Sequence, residues 1–152
     1  MNVFSGFDGM SCAQIALSQL GIKPAKYYAS EVDKYAIQVT QANYPNTVQM
    51  GDITKWREWG IDWSSIDLIV GGSPCQGFSF AGKQLAFDDP RSALFFVWLD
   101  ILIHIKSANP RVKFMLENVR MKKEYLDVIS KLLDVEPVFI NSALVSAQNR
   151  QR

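Results

Sequence analysis

Short apolar runs alternate along the chain with longer stretches in which apolar positions recur at helical spacing. The runs predict strands near Asn2–Ser5, Lys26–Glu31, Thr47–Met50, Asp67–Gly71, Lys113–Glu117 and Val138–Leu144. Between them the pattern predicts a helix over Cys12–Gly21, with Ile15, Ala16 and Leu20 on one face and a glycine at its end. Further helices are predicted over Val32–Asn43, stopped by Tyr44-Pro45-Asn46, and over Arg91–Ser107 and Met121–Leu133. Strands alternating with helices in this way specify an α/β fold, a doubly wound and mostly parallel sheet covered on both faces. The glycine- and proline-rich stretch Gly71–Pro90 follows a strand, which puts it at the carboxyl edge of the sheet. Open α/β folds bind their ligands at that edge, and a loop this long in a compact domain is usually functional.

Composition narrows the class without naming a function. The 152 residues suit one domain, 1–152, and the 48% hydrophobic and 20% charged content excludes disordered and collagen-like chains. No apolar run approaches the ~20 residues that span a bilayer, and no basic segment precedes Val3-Phe4, so neither a membrane anchor nor a signal peptide is predicted. An intracellular location, cytoplasmic or nucleoid, is expected. Net charge is +1, but residues 1–105 hold 7 basic and 10 acidic side chains whereas residues 106–152 hold 9 and 5. The cluster Arg120, Lys122, Lys123 is expected to be a solvated charged face. The chain stops at Arg150-Gln151-Arg152, directly after a predicted strand and turn; a parallel sheet ending there lacks its next strand, so a partial domain is expected.

The two cysteines, Cys12 and Cys75, lie far apart, and a disulfide is not expected; a metal site would need more ligands than the sequence offers. The single histidine, His104, is expected to be a helix residue without a chemical role. Cys12, at a helix start, is expected to be a small buried hydrophobe. Cys75 differs. In Gly71-Gly72-Ser73-Pro74-Cys75-Gln76-Gly77-Phe78-Ser79, glycines and a proline flank a lone thiol just past a buried strand, a setting that exposes the sulfur and fixes its direction. Backbone N–H groups at a sheet edge favour the reactive thiolate.

Pro74-Cys75-Gln76 in this setting resembles the catalytic loop of the C5 cytosine-specific DNA methyltransferases. The resemblance extends over essentially the whole chain and in the family's order. Phe7-Asp8-Gly9 resembles the first motif, although Met10-Ser11-Cys12 stands where many members carry further glycines. Glu31-Val32 and Asp52-Ile53 are similar to the pairs that bind the cofactor's ribose and adenine. Asp89-Pro90-Arg91-Ser92-Ala93-Leu94 resembles the segment leading into the next helix, Glu117-Asn118-Val119 the family's Glu-Asn-Val, and Gln148-Asn149-Arg150-Gln151-Arg152 its Gln-x-Arg-x-Arg. The variants lean toward the branch with animal de novo methyltransferases and bacterial or phage relatives.

The resemblance implies a Rossmann-like domain that binds S-adenosyl-L-methionine, and its product S-adenosyl-L-homocysteine, through Phe7, Asp8, Gly9, Glu31, Val32, Asp52, Ile53, Pro74 and Leu94. It implies catalysis by Cys75, Glu117, Arg150 and Arg152 on a cytosine flipped out of double-stranded DNA, the partner of the full-length protein. For Glu31 the ribose role competes with capping of the following helix, and Asp8 and Gly9 are open to reading as turn formers. A region that grips DNA is expected beyond Arg152, so this chain alone is expected to fold but to be nearly inactive on duplex DNA. Three other readings are weighed. A dinucleotide-dependent oxidoreductase lacks G-x-G-x-x-G after the first strand and leaves Cys75 idle. A transfer-RNA methyltransferase shares the base chemistry, and an inactive cofactor-binding homologue shares the fold.

Overall fold

A computed structural model describes residues 1–74, 93–149 and 151–152. They fall into two compact units, Met1–Ser73 with Val97–Leu116, and Pro74–Phe96 with Glu117–Arg152.

The first unit is built on five parallel strands: β1 (Asn2–Gly6), β2 (Lys26–Ser30), β3 (Val48–Gln49), β4 (Leu68–Gly71) and β5 (Lys113–Leu116). Their spatial order is β3-β2-β1-β4-β5. The chain therefore works outward from β1 in one direction and then crosses back to continue in the other. The crevice above the carboxyl ends of β1 and β4 is the topological switch point at which such sheets take ligands. β1 is central and buried on both faces, which is why it reads as a continuous run rather than an alternating one.

Helices α1 (Cys12–Gln19), α2 (Lys34–Asn43) and α3 (Ala93–Ala108) cover the strands or extend from them. On one face Leu17 of α1 joins Val3, Tyr27, Ala29 and Val70, with Ala13 packed alongside. Ala13 and Leu17 are four apart and so share a helix face. The expected face of Ile15, Ala16 and Leu20 is instead turned outward, with Leu20 73% exposed. An eight-residue helix holds too few turns for spacing alone to fix its rotation. The same rotation exposes Cys12, which was expected to be buried; it is a free thiol. Gly21, at a positive φ of 71°, closes the helix, letting the Ile22 amide reach the Leu17 carbonyl at 2.8 Å. The α2 start moves from the expected Val32 to Lys34 because the Asp33 carboxylate accepts from the amides of Tyr35 and Ala36.

On the opposite face Trp98 of α3 lies against two glycines. Gly6 and Gly71 are paired in register at the ends of β1 and β4. A Cβ at Gly71 would stand 2.3 Å from Trp98 Nε1, and one at Gly6 2.9 Å from Trp98 Cδ1. The indole is fully buried and donates to the Val70 carbonyl at 3.2 Å. Phe4 on this face meets Trp59 and Trp63, and His104 of α3 packs on Trp56 with ring centroids 5.1 Å apart.

In the second unit, α4 (Lys123–Leu133) buries Ile129 and Leu133, and Asp134 in the left-handed conformation ends it. Lys123 pairs with Asp127 at 2.6 Å, Lys122 with Glu124 at 3.9 Å, and Arg120 reaches Gln151, so the basic cluster is a solvated, partly neutralised face. The predicted strand Val138–Leu144 is not formed. Val138, Phe139 and Ile140 are 79%, 60% and 55% exposed, with no strand ladder among the described residues. Asn141 captures the Ala143 amide and opens a 3-10 turn over Ser142–Leu144, and the chain returns through an isolated antiparallel bridge from Asn141 to Gln151.

Candidate functional site

The β1–α1 loop carries the most unusual backbone of the first unit. Phe7, Gly9 and Ser11 have φ of 58°, 57° and 61°. Left-handed conformations cost a non-glycine residue roughly 1–2 kcal/mol, so Phe7 and Ser11 must be held there by their surroundings. Several hydrogen bonds do so. The Asp8 amide donates to the Ser30 carbonyl at 3.1 Å, and Thr40, fully buried in α2, donates to the Gly9 carbonyl at 3.3 Å. The Asp8 side chain, only 9% exposed, accepts from the Tyr27 hydroxyl at 2.7 Å and from the Ser11 hydroxyl.

Glu31, the first residue past β2, ties this loop to its neighbour. One carboxylate oxygen accepts from the Gly9 amide at 2.8 Å, and the other from the amides of Val32 and Asp33 at 2.7 and 2.9 Å. A carboxylate offers about four acceptor positions, so these three bonds leave one for an incoming hydroxyl. Both readings of Glu31 therefore meet in one side chain, which supports the start of α2 and keeps acceptor capacity at the sheet edge. Val32 beside it is 72% exposed. Past β3, Gly51 at φ 77° is held by the Ser30 hydroxyl at 2.6 Å, and Asp52 begins a 3-10 turn over Ile53–Glu58. The exposed Asp52 carboxylate accepts the Thr54 amide and hydroxyl, both at 2.9 Å, which hold it below the usual carboxylate range. Ile53 is buried, and its Cδ1 packs toward Gly6.

Phe7, Asp8, Gly9, Glu31, Val32, Asp52 and Ile53 thus gather at the carboxyl ends of β1, β2 and β3. Glu117 and Arg152 belong to the second unit, where the guanidinium forms an ion pair with the carboxylate. Arg152 is further fixed by reciprocal backbone bonds with Ile140, both 2.8 Å. Pro74 and Leu94, each half-buried, also lie in the second unit. Cys75 and Arg150 lie outside the described residues. Sequence reasoning missed Tyr27, Ser11 and Thr40; the available signal was a tyrosine alternating with Ala29 on the core face of a buried strand. A cleft of about 540 Å³ at the amino ends of β2 and β3, bordered by Gln14, Tyr44 and Thr47, contains none of the predicted residues.

A parallel sheet with this strand order, a strained loop after β1 and an acid at the end of β2 defines a Rossmann-like domain of the type that holds a nucleoside cofactor. The family model described as C-5 cytosine-specific DNA methylase matches residues 1–149, and the chain belongs to that family. It is 39% identical to the type II methyltransferase M1.ScrFI of Lactococcus lactis subsp. cremoris over 96% of this chain and 38% of that protein. It is equally similar to the type II methyltransferase M.NlaIV of Neisseria lactamica, over 78% of this chain and 27% of the relative. The chain thus spans between about a quarter and two-fifths of these relatives. The crystal structure of S. pombe Dnmt2 methyltransferase shares the fold, with a TM-score of 0.68 at 19% identity over 99% of this chain and 48% of that one. Among the described residues no group of His, Cys, Asp and Glu could hold a metal, and no helix is long and apolar enough to cross a membrane.

Proposed function

We propose that the chain is the catalytic portion of a DNA cytosine-5 methyltransferase, with Cys75 as nucleophile toward carbon 6 of a flipped-out cytosine. The observation that carries this reading is the ion pair between Glu117 and Arg152 in a chain of this family, since these side chains meet although distant in sequence. A carboxyl group and a guanidinium side by side suit the N3 and O2 edge of one pyrimidine. Addition of the Cys75 thiolate to carbon 6 drives charge toward N3. Glu117, after taking a proton from solvent, relieves that charge by donating to N3, and Arg152, with Arg150 nearby in sequence, holds the O2 carbonyl. Carbon 5 thereby becomes nucleophilic. Once carbon 5 carries the methyl group, water removes its proton as the thiolate departs. None of this is possible inside a stacked duplex, so extrusion of the base, costing a few kcal/mol, precedes it.

The residues present fit S-adenosyl-L-methionine: Glu31 retains an acceptor for a ribose hydroxyl, and exposed Val32 and Asp52 flank the same edge. Phe7, Asp8, Gly9 and Ile53 lie at that same edge, and Pro74 and Leu94 are assigned to the cofactor by the family resemblance. When bound there, S-adenosyl-L-methionine supplies the methyl group and leaves as S-adenosyl-L-homocysteine. Contacts that grip double-stranded DNA are assigned to polypeptide that the relatives carry in addition, so this chain alone should transfer methyl groups poorly.

Covalent trapping on 5-fluorocytosine DNA tests the assignment, because fluorine at carbon 5 blocks the release step. In a polypeptide extended to the length of the relatives, Cys75→Ser should abolish both trapping and tritium transfer from labelled cofactor, while Cys12→Ser should leave both intact. An adduct surviving Cys75→Ser would remove the nucleophile assignment. Turnover on transfer RNA with none on DNA would transfer the activity to the RNA branch.

A further inference from the structure

We propose that Tyr27 is a positioning residue for the cofactor-receiving loop: with Ser11 it clamps the Asp8 carboxylate and so fixes the left-handed turns that aim the Gly9 amide at Glu31. The inference deepens the cofactor reading given above and rests on it for its consequence, but the clamp itself is made by the chain's own side chains.

The departure from the glycine-rich pattern is what calls for such a clamp. Ser11 has a φ of 61° at a position where glycine would adopt it freely, and Phe7 has 58°. Asp8 sits between the two and is buried, and a buried carboxylate is tolerated only when donors surround it. Its two oxygens are taken separately, Oδ1 by the Tyr27 hydroxyl and Oδ2 by the Ser11 hydroxyl. The buried carboxylate is thus turned inward to hold the loop's shape, and Asp8 would act on a ligand only through the backbone that it holds.

Both donors are anchored. The Tyr27 ring is 4% exposed in the core with Val3, Leu17, Ala29 and Val70, so its hydroxyl has a fixed origin on β2. Burial, and then the charge of Asp8, push the phenol well above the ordinary tyrosine range, which keeps it a donor at every working pH. Ser11 in turn accepts from Gln14 Nε2 at 3.1 Å, and the same nitrogen donates to Thr47 Oγ1 at 2.8 Å. The loop is thus pinned to β2 on one side and, through α1, to the residue before β3 on the other.

Tyr27→Phe removes one hydroxyl and keeps the ring. A hydrogen bond to a charged group is worth enough that its loss should open the loop about tenfold or more readily. By NMR, amide exchange at Asp8, Gly9 and Ser11 should accelerate by that factor. Calorimetry well below the melting temperature should show S-adenosyl-L-homocysteine binding weakened about twofold at most while the closed loop stays the major state, because affinity falls only as the competent fraction falls. Leu17→Ala, a core truncation beside Tyr27, serves as the structural control: it should lower the melting temperature without selective acceleration at Gly9 and Ser11. Unchanged loop exchange in Tyr27→Phe, or equal acceleration in Leu17→Ala, would overturn the positioning role. Failure of the wild-type chain to bind S-adenosyl-L-homocysteine would count against the cofactor reading alone, and the exchange comparison would still decide the clamp.

Discussion

Alanine at Gly71 is the sharpest probe of how the sheet edge is built. Its Cβ would lie 2.3, 2.8 and 2.9 Å from Nε1, Cδ1 and Cε2 of Trp98, all inside van der Waals contact. The indole cannot swing aside, since it is fully buried and its nitrogen is bonded to Val70. Overpacking of a closed core costs about 1–3 kcal/mol. Displacing the ring also forfeits its hydrogen bond, worth about 1 kcal/mol. A total near 3 kcal/mol corresponds, for a chain of this size, to a melting temperature lowered by roughly 6–12 °C. The loss should depend on the ring. With Trp98→Leu as background, Gly71→Ala should cost less than about 1 kcal/mol, leaving a coupling of about 2 kcal/mol between the sites. Urea denaturation followed by far-ultraviolet circular dichroism measures all four variants without relying on the tryptophan signal. Gly71→Ala within about 0.5 kcal/mol of wild type, or equally harmful in both backgrounds, would refute the steric account.

Glu31→Ala should weaken S-adenosyl-L-homocysteine binding about tenfold or more, as one ribose acceptor and the anchor of Gly9 are lost together; equal calorimetric affinity in mutant and wild type would remove Glu31 from the site. Alkaline titration reports on Tyr27. Its folded pKa lies above the unfolded value of about 10, so the stability it contributes is complete below pH 10 and is lost as the pH rises beyond it. Spectrophotometric titration should therefore show one of the five tyrosines ionising only as the protein unfolds; ionisation of all five in the native state would contradict its buried bond to Asp8.

Sequence pattern revealed most of the sheet because β1, β2 and β4 each carry a short apolar run, Val3-Phe4, Tyr27-Tyr28-Ala29 and Leu68-Ile69-Val70, bounded by turns. Three features were beyond its reach, each for a physical reason. The rotation of α1 depends on which residues meet the sheet, and Leu17 rather than Ile15 does. Val138–Ile140 has strand-forming residues but lacks a partner strand among the described residues, and propensity without a ladder forms nothing. Motif matching identified Asp8 and Glu31 as site residues, but not that Asp8 turns inward to Tyr27 or that Glu31 spends three bonds on backbone amides. Such contacts are long-range side-chain geometry, which local spacing does not encode.

The glycine seat under Trp98 also orders events during synthesis. Gly6 and Gly71 emerge from the ribosome before the indole that fills the space above them. A nascent chain released only as far as β4 holds its first four strands with the seat at Gly6 and Gly71 still unfilled, and stays a substrate for chaperones until α3 arrives. Truncations anywhere before Trp98 should therefore yield aggregating material rather than a smaller folded domain.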